Sequence, residues 1–147
     1  MIAIQPQREI EMITGRCECG NVQYQVSAEL VDYCHCHCSI CRRIGGAPYV
    51  TWGGVARDKF SYLAGEQDIR IYSFTDRADS ISCSNCSSTL AVDFKTEPDM
   101  FYITLGCVNG DVALPADGFH QFVESKAPWH VITDDLPQYG GWAVEPE

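Results

Sequence analysis

Seven of the nine cysteines fall into three tight clusters: Cys17-Glu18-Cys19, Cys36-His37-Cys38-Ser39-Ile40-Cys41 and Cys83-Ser84-Asn85-Cys86. No other feature limits the fold as strongly. A chain of 147 residues can bury a core of its own without covalent staples. An odd number of thiols cannot pair off completely, and ligand sets need closely spaced cysteines where buried thiols do not. The clusters therefore predict thiolate ligands for zinc, at two separate sites.

The first site combines Cys17 and Cys19 with Cys83 and Cys86. Residues i and i+2 of an extended segment share a face, so Cys17 and Cys19 can grip one ion from a strand end. Cys83-Ser84-Asn85-Cys86 has the tight-turn spacing of a zinc knuckle. Four sulfurs close a structural tetrahedron, and joining the pairs clamps more than sixty residues of intervening chain. Two other readings are weighed against this one: buried thiols acting as small hydrophobes, and redox chemistry at Cys83-x-x-Cys86, which lacks its usual βαβ setting.

The second cluster offers three ligands from one short segment, Cys36, Cys38 and Cys41, the last brought beside Cys38 by a helical turn. Three protein ligands leave a tetrahedral corner open, as in catalytic zinc sites. Cys34 could close that corner, but along extended chain it lies about 13 Å from Cys38. His35 and His37 should face away from the sulfurs, as packed or hydrogen-bonded supports of the site. Cys107 stands alone after a strand and reads as a packed thiol. Arg42 and Arg43 follow the cluster directly. They can offset the charge of three thiolates around Zn²⁺ or hold a substrate carboxylate.

The rest of the chain reads as an all-β domain. Alternating segments recur at 22–26, 69–72, 90–94, 101–105 and 119–123, separated by turn signals at Gly45-Gly46, Gly53-Gly54, Asn109-Gly110-Asp111 and Ala116-Asp117-Gly118. One helical turn is expected from Ser39 to Ile44, capped by Ser39 and stopped by Gly45. Residues 1–12 read as a lead-in, 13–135 as the domain and 136–147 as a tail. The net charge of −10, with no basic stripe, argues against nucleic acid as a partner. No apolar run approaches the eighteen or so residues of a membrane span, so no membrane partner is expected. Nine cysteines read as thiols, not disulfides, point to a reducing, cytoplasmic location.

At this point the sequence resembles the glutathione-dependent formaldehyde-activating family, which also includes the centromere protein V group. The resemblance rests on Gly15-Arg16-Cys17-Glu18-Cys19-Gly20-Asn21-Val22, on Cys36-His37-Cys38-Ser39-Ile40-Cys41-Arg42-Arg43 and on Ser82-Cys83-Ser84-Asn85-Cys86. Gly46-Ala47-Pro48-Tyr49-Val50-Thr51-Trp52 and Glu124-Ser125-Lys126-Ala127-Pro128-Trp129 extend it, so it covers residues 13–135. It implies a zinc-bound β-tent of small antiparallel sheets. Cys17, Cys19, Cys83 and Cys86 match the family's structural zinc ligands, and Cys36, Cys38 and Cys41 match its catalytic ones. Cys34 is a departure from the pattern. The implied activity is addition of glutathione to formaldehyde to give S-hydroxymethylglutathione, formally a carbon–sulfur lyase reaction in reverse, so the implied partners are a small thiol such as glutathione and an aldehyde. The rival expectation is a non-catalytic zinc-stabilised module that binds a protein or a small thiol, with Tyr33, Tyr49, Trp52 and Trp129 lining its surface.

Overall fold

The computed structural model describes residues 11–143. It is mainly β, as the alternating segments predict. Ten strands run in chain order: β1 (Ile13–Arg16), β2 (Gln23–Val26), β3 (Asp32–Cys36), β4 (Val50–Ala56), β5 (Phe60–Ala64), β6 (Ile69–Ser73), β7 (Ala78–Cys83), β8 (Thr89–Phe94), β9 (Met100–Thr104) and β10 (Phe119–Gln121). The single α-helix among the described residues, α1 (Ser39–Gly45), lies between β3 and β4. Strands β1, β2 and β5 form a three-stranded sheet. The other seven form a second sheet in the order β10-β3-β4-β9-β8-β7-β6, antiparallel throughout except for the parallel β10–β3 pair.

Alternation explains much of this. In β2, Tyr24 and Val26 are buried while Gln23 and Gln25 turn outward. Two apolar clusters result. Val22, Tyr24, Val26, Val55, Ile81, Leu90 and Ile103 surround Cys17 and Cys83, whereas Trp52, Val50 and Val92 surround Cys34 and Cys36. Each cysteine cluster is thus rooted in a separate part of the hydrophobic core. A buried thiolate is costly there unless a cation offsets its charge.

Several local expectations need correction. Gly53-Gly54 reads as a turn but lies inside β4. The glycines are required there by close approach: a Cβ on Gly53 would sit 2.7 Å from Leu105 and 2.9 Å from Leu30 side-chain atoms, and one on Gly54 would sit 2.0 Å from an Asp32 carboxylate oxygen. The strand expected over 119–123 stops at Gln121, because Phe122 adopts a left-handed conformation (φ 56°) and Val123–Ser125 form a 3₁₀ turn. The helix is capped one residue earlier and released one residue later than expected. Cys38 is the N-cap and its Sγ accepts from Cys41 N, while Gly46 (φ 58°) ends the helix.

The segment expected as a tail, 136–147, is described as far as residue 143, and up to Trp142 it lies against β10. His120 N donates to Pro137 O, Tyr139 N to His120 O, and Phe122 N to Gly141 O. The Trp142 ring packs on Phe122 and Phe94 at centroid distances of 4.9 and 6.0 Å.

The 3₁₀ turn Glu66–Asp68 locks the loops that carry the first cysteine group. Asp68 accepts through its carboxylate from Asn21 Nδ2 (2.8 Å) and through its carbonyl from Ser84 N (2.8 Å), holding both cysteine-bearing loops at once. Gly65 precedes it with φ 76°, and a Cβ there would lie 2.1 Å from Asn21 O. Gly65→Ala should therefore cost on the order of 2 kcal/mol, from left-handed backbone plus displaced chain. Urea unfolding at constant zinc measures it, and an unchanged midpoint would refute the role of this turn.

Candidate metal centres

The first centre forms where the two sheets meet. Cys17 directly follows β1 and Cys19 lies two residues on, not as alternating residues of a strand but in a turn closed by Gly20 N to Cys17 O (3.1 Å). Gly20 has φ 78° there. Cys83 ends β7, and Cys86 occupies the turn to β8, closed by Ser87 N to Cys83 O (2.9 Å). One sulfur from each of the four residues lies within 4.8 Å of all the others. Cys17 Sγ is 3.6 Å from Cys19 Sγ, and Cys19 Sγ is 3.9 Å from Cys83 Sγ. A tetrahedron with metal–sulfur arms of about 2.3 Å has edges of about 3.8 Å, so these separations suit a four-sulfur zinc site. Every cysteine is a free thiol.

The surroundings favour negative sulfur. Val22 N donates to Cys17 Sγ (3.2 Å), Asn85 N to Cys83 Sγ (3.4 Å) and Asn85 Nδ2 to Cys19 Sγ (3.4 Å). The Asn85 hydrogen bond draws the Cys19 thiol down, and that from Ser88 draws Cys86 down to about 5. Burial instead pushes Cys17 up to about 11. A cation among the four sulfurs offsets the desolvation that opposes ionisation of Cys17.

The second centre sits at the end of β3 and the start of α1. The sulfurs of Cys36, Cys38 and Cys41 lie within 4.8 Å of one another, and Cys34 falls outside that set. Cys34 is buried within β3, where desolvation pushes its thiol up. Hydrogen bonding from Cys36 draws the Cys38 thiol down, helped by the Cys41 and Ile40 backbone N–H groups. Hydrogen bonding within the cluster correspondingly pushes Cys36 up to about 12, through Cys38, and raises Cys41, chiefly through Cys36. Cys38 caps the positive end of the helix, where the backbone N–H groups favour its thiolate form. Cys38 and Cys41 are only half-buried.

The two arginines differ. Arg43 is exposed and its Nη1 donates to Ser39 O (3.4 Å). Arg42 is half-buried, and its Nε is buried without a hydrogen-bond partner among the described residues. Sequence reasoning treats the pair alike.

The histidines support one another behind this centre. His35 Nδ1 is paired with Thr51 Oγ1 (2.7 Å), and His37 Nε2 with His120 Nδ1 (2.8 Å). Burial pushes His37 down to about 4, so its ring is neutral at pH 7. His120 Nε2 faces both carboxylate oxygens of Asp134 at 3.0 Å. His120, His130 and Asp134 escape sequence reasoning, because no short spacing marks them. Of the four aromatics suggested for a binding surface, Tyr33 and Trp52 are buried, and Tyr49 packs among His35, His37 and His130. Trp129 alone is largely exposed, at 72%. Cys107 is a half-buried thiol donating to Thr89 O (3.4 Å).

Fold and thiol groupings together define a mainly β protein with two cysteine centres able to hold metal ions. The chain belongs to the glutathione-dependent formaldehyde-activating enzyme family, whose model matches residues 12–125. A curated protein of Halomonas elongata, provisionally described as a glutathione-dependent formaldehyde-activating enzyme, is 27% identical over 124 residues, covering 80% of this chain and 79% of its own length. The crystal structure of a Rhodobacter sphaeroides protein shares the fold, with a TM-score of 0.57 at 23% identity, over 67% of this chain and 89% of that one. Among the described residues no helix is long and apolar enough to cross a membrane.

Proposed function

We propose that the chain is a zinc enzyme of the carbon–sulfur lyase type that joins a small thiol, such as glutathione, to formaldehyde. The supporting observation is the asymmetry of the two centres: four sulfurs gathered where the sheets meet, and three at the junction of β3 and α1, of which Cys36 is buried and Cys38 and Cys41 are half-buried. In this reading Cys17, Cys19, Cys83 and Cys86 hold a structural zinc, and Cys36, Cys38 and Cys41 hold a second. Bound there, the second ion would supply Lewis acidity that lowers the pKa of a substrate thiol and polarises a carbonyl oxygen.

The remaining work falls to this chain's own residues. The thiol sulfur forms a bond to the aldehyde carbon, the carbonyl π electrons move to oxygen, and the thiol proton ends on that oxygen, so atoms and electrons balance. Arg42, half-buried and one residue beyond Cys41, stands beside this centre where its guanidinium could bind a glutathione carboxylate. Arg43 is already turned to solvent and to its own helix. The alternative of a non-catalytic module loses half of its proposed surface, because Tyr33 and Trp52 are core residues.

The test is S-hydroxymethylglutathione formation followed by exchange NMR, with protein against buffer, since the addition also proceeds unaided. Acceleration proportional to enzyme supports the reading, and rates equal to buffer refute it. In the same assay Arg42→Gln should raise the KM for glutathione about tenfold, the loss of one charge-assisted contact, while Arg43→Gln leaves it nearly unchanged. Equal effects at the two positions would remove Arg42 from the role.

A further inference from the structure

All four histidines of the chain collect in one place behind the second cysteine centre. The ring centroids of His35 and His120 are 4.7 Å apart, those of His37 and His120 5.0 Å, and those of His37 and His130 6.0 Å. The parallel pairing of β10 with β3 creates this cluster, because it sets His120 directly opposite His35. A ring nitrogen of His35, a ring nitrogen of His120 and a carboxylate oxygen of Asp134 all lie within 4.8 Å of one another.

We infer that His35, His120 and Asp134 form a third metal-binding centre, distinct from both thiolate centres, for a divalent d-block cation that accepts imidazole and carboxylate ligands. Two neutral imidazoles and one carboxylate carry a net charge of about −1 and suit cations of the cobalt, nickel and zinc series.

The support around the three residues is of the kind a metal site needs. Ligating histidines usually engage their second nitrogen in a hydrogen bond that fixes tautomer and orientation. Here His35 Nδ1 is held by Thr51 Oγ1 at 2.7 Å, and His120 Nδ1 by His37 Nε2 at 2.8 Å. Both histidines are thereby left with Nε2 as the ligating atom. Asp134 is fixed in turn, since its Oδ1 accepts from Leu136 N at 3.0 Å. His120 is 2% exposed and His37 fully buried, whereas the Asp134 side chain is 45% exposed and gives an ion access from solvent. A purely structural Asp–His–His chain would require His120 and His37 but not His35 at the same point.

The test keeps zinc in the protein as purified. Wild type, Asp134→Ala and His120→Ala are equilibrated with excess Co²⁺, freed of unbound metal, and analysed for total metal per chain and for visible absorption. Wild type should hold one more ion per chain than Asp134→Ala. Cobalt in this centre should show weak ligand-field bands without the intense near-ultraviolet charge transfer of a cobalt–thiolate bond. Equal metal content in wild type and Asp134→Ala overturns the inference, and so does an additional ion whose cobalt spectrum is that of thiolate ligands. Should His120→Ala fail to fold, Asp134→Ala decides the matter alone, because its side chain is largely outside the core.

Discussion

Cys83→Ala is expected to lose one zinc per chain and to lower the melting temperature by at least about 15 °C, or to leave the protein insoluble. Cys83 lies in the apolar cluster between the sheets, fully buried, at the end of β7. Its partners Cys17 and Cys19 come from the other sheet's β1–β2 connection, so the proposed ion ties the two sheets together. Structural zinc contributes about 10–16 kcal/mol of apparent binding free energy in small zinc domains, against a typical net stability of about 5–15 kcal/mol. Losing even about 5 kcal/mol moves the melting point of a domain this size by roughly 10–20 °C. Removing one ligand also leaves three thiolates to be neutralised in a core that no longer offsets their charge. Calorimetry under reducing conditions with metal analysis checks this, and a wild-type melting curve for Cys83→Ala would show that the four thiols only pack.

Cys38→Ala should do the opposite: abolish any enzymatic acceleration of adduct formation, leaving the buffer rate, while lowering the melting temperature by only a few degrees. The small structural cost follows from position. Cys38 is half-buried and caps a seven-residue helix, and losing an N-cap costs about 1 kcal/mol. The large functional cost follows from the number of ligands. Cys36, Cys38 and Cys41 are the three sulfurs gathered at this centre. Without Cys38, two sulfurs remain where an exposed catalytic ion needs three protein ligands. Measured together, the two variants separate the centres. Cys83→Ala should destabilise the protein with little bearing on the chemistry of whatever folds, and Cys38→Ala should silence a protein that remains folded. Retained activity in Cys38→Ala would remove the second centre from catalysis.

What could be read from the sequence and what could not follow from the range of the interactions. Cysteine spacing is local, and the groupings 17/19/83/86 and 36/38/41 assemble as the spacing implies. The strands with clear alternation, such as Gln23–Val26, were equally legible. Gly53-Gly54 misleads because glycine marks both a turn and a strand crossed closely by other side chains, and only Leu30, Leu105 and Asp32, distant in the chain or across the sheet, decide which. The role of Asp68 in holding both cysteine loops was invisible for the same reason. His37 and His120 are 83 residues apart, joined by a parallel strand pairing that no local pattern announces. That His35 and His37 face away from the sulfurs was legible from alternation, but the buried histidine cluster they join was not.

Anomalous diffraction at the zinc absorption edge, on reduced crystals of the protein as purified, tests the central claim most directly. The account predicts two peaks at the cysteine centres: one ringed by Cys17, Cys19, Cys83 and Cys86 at about 2.3 Å, the other held by Cys36, Cys38 and Cys41 with a non-protein atom at the fourth corner. Absence of zinc from either group, disulfides among these thiols, or Cys34 occupying the fourth position would contradict it.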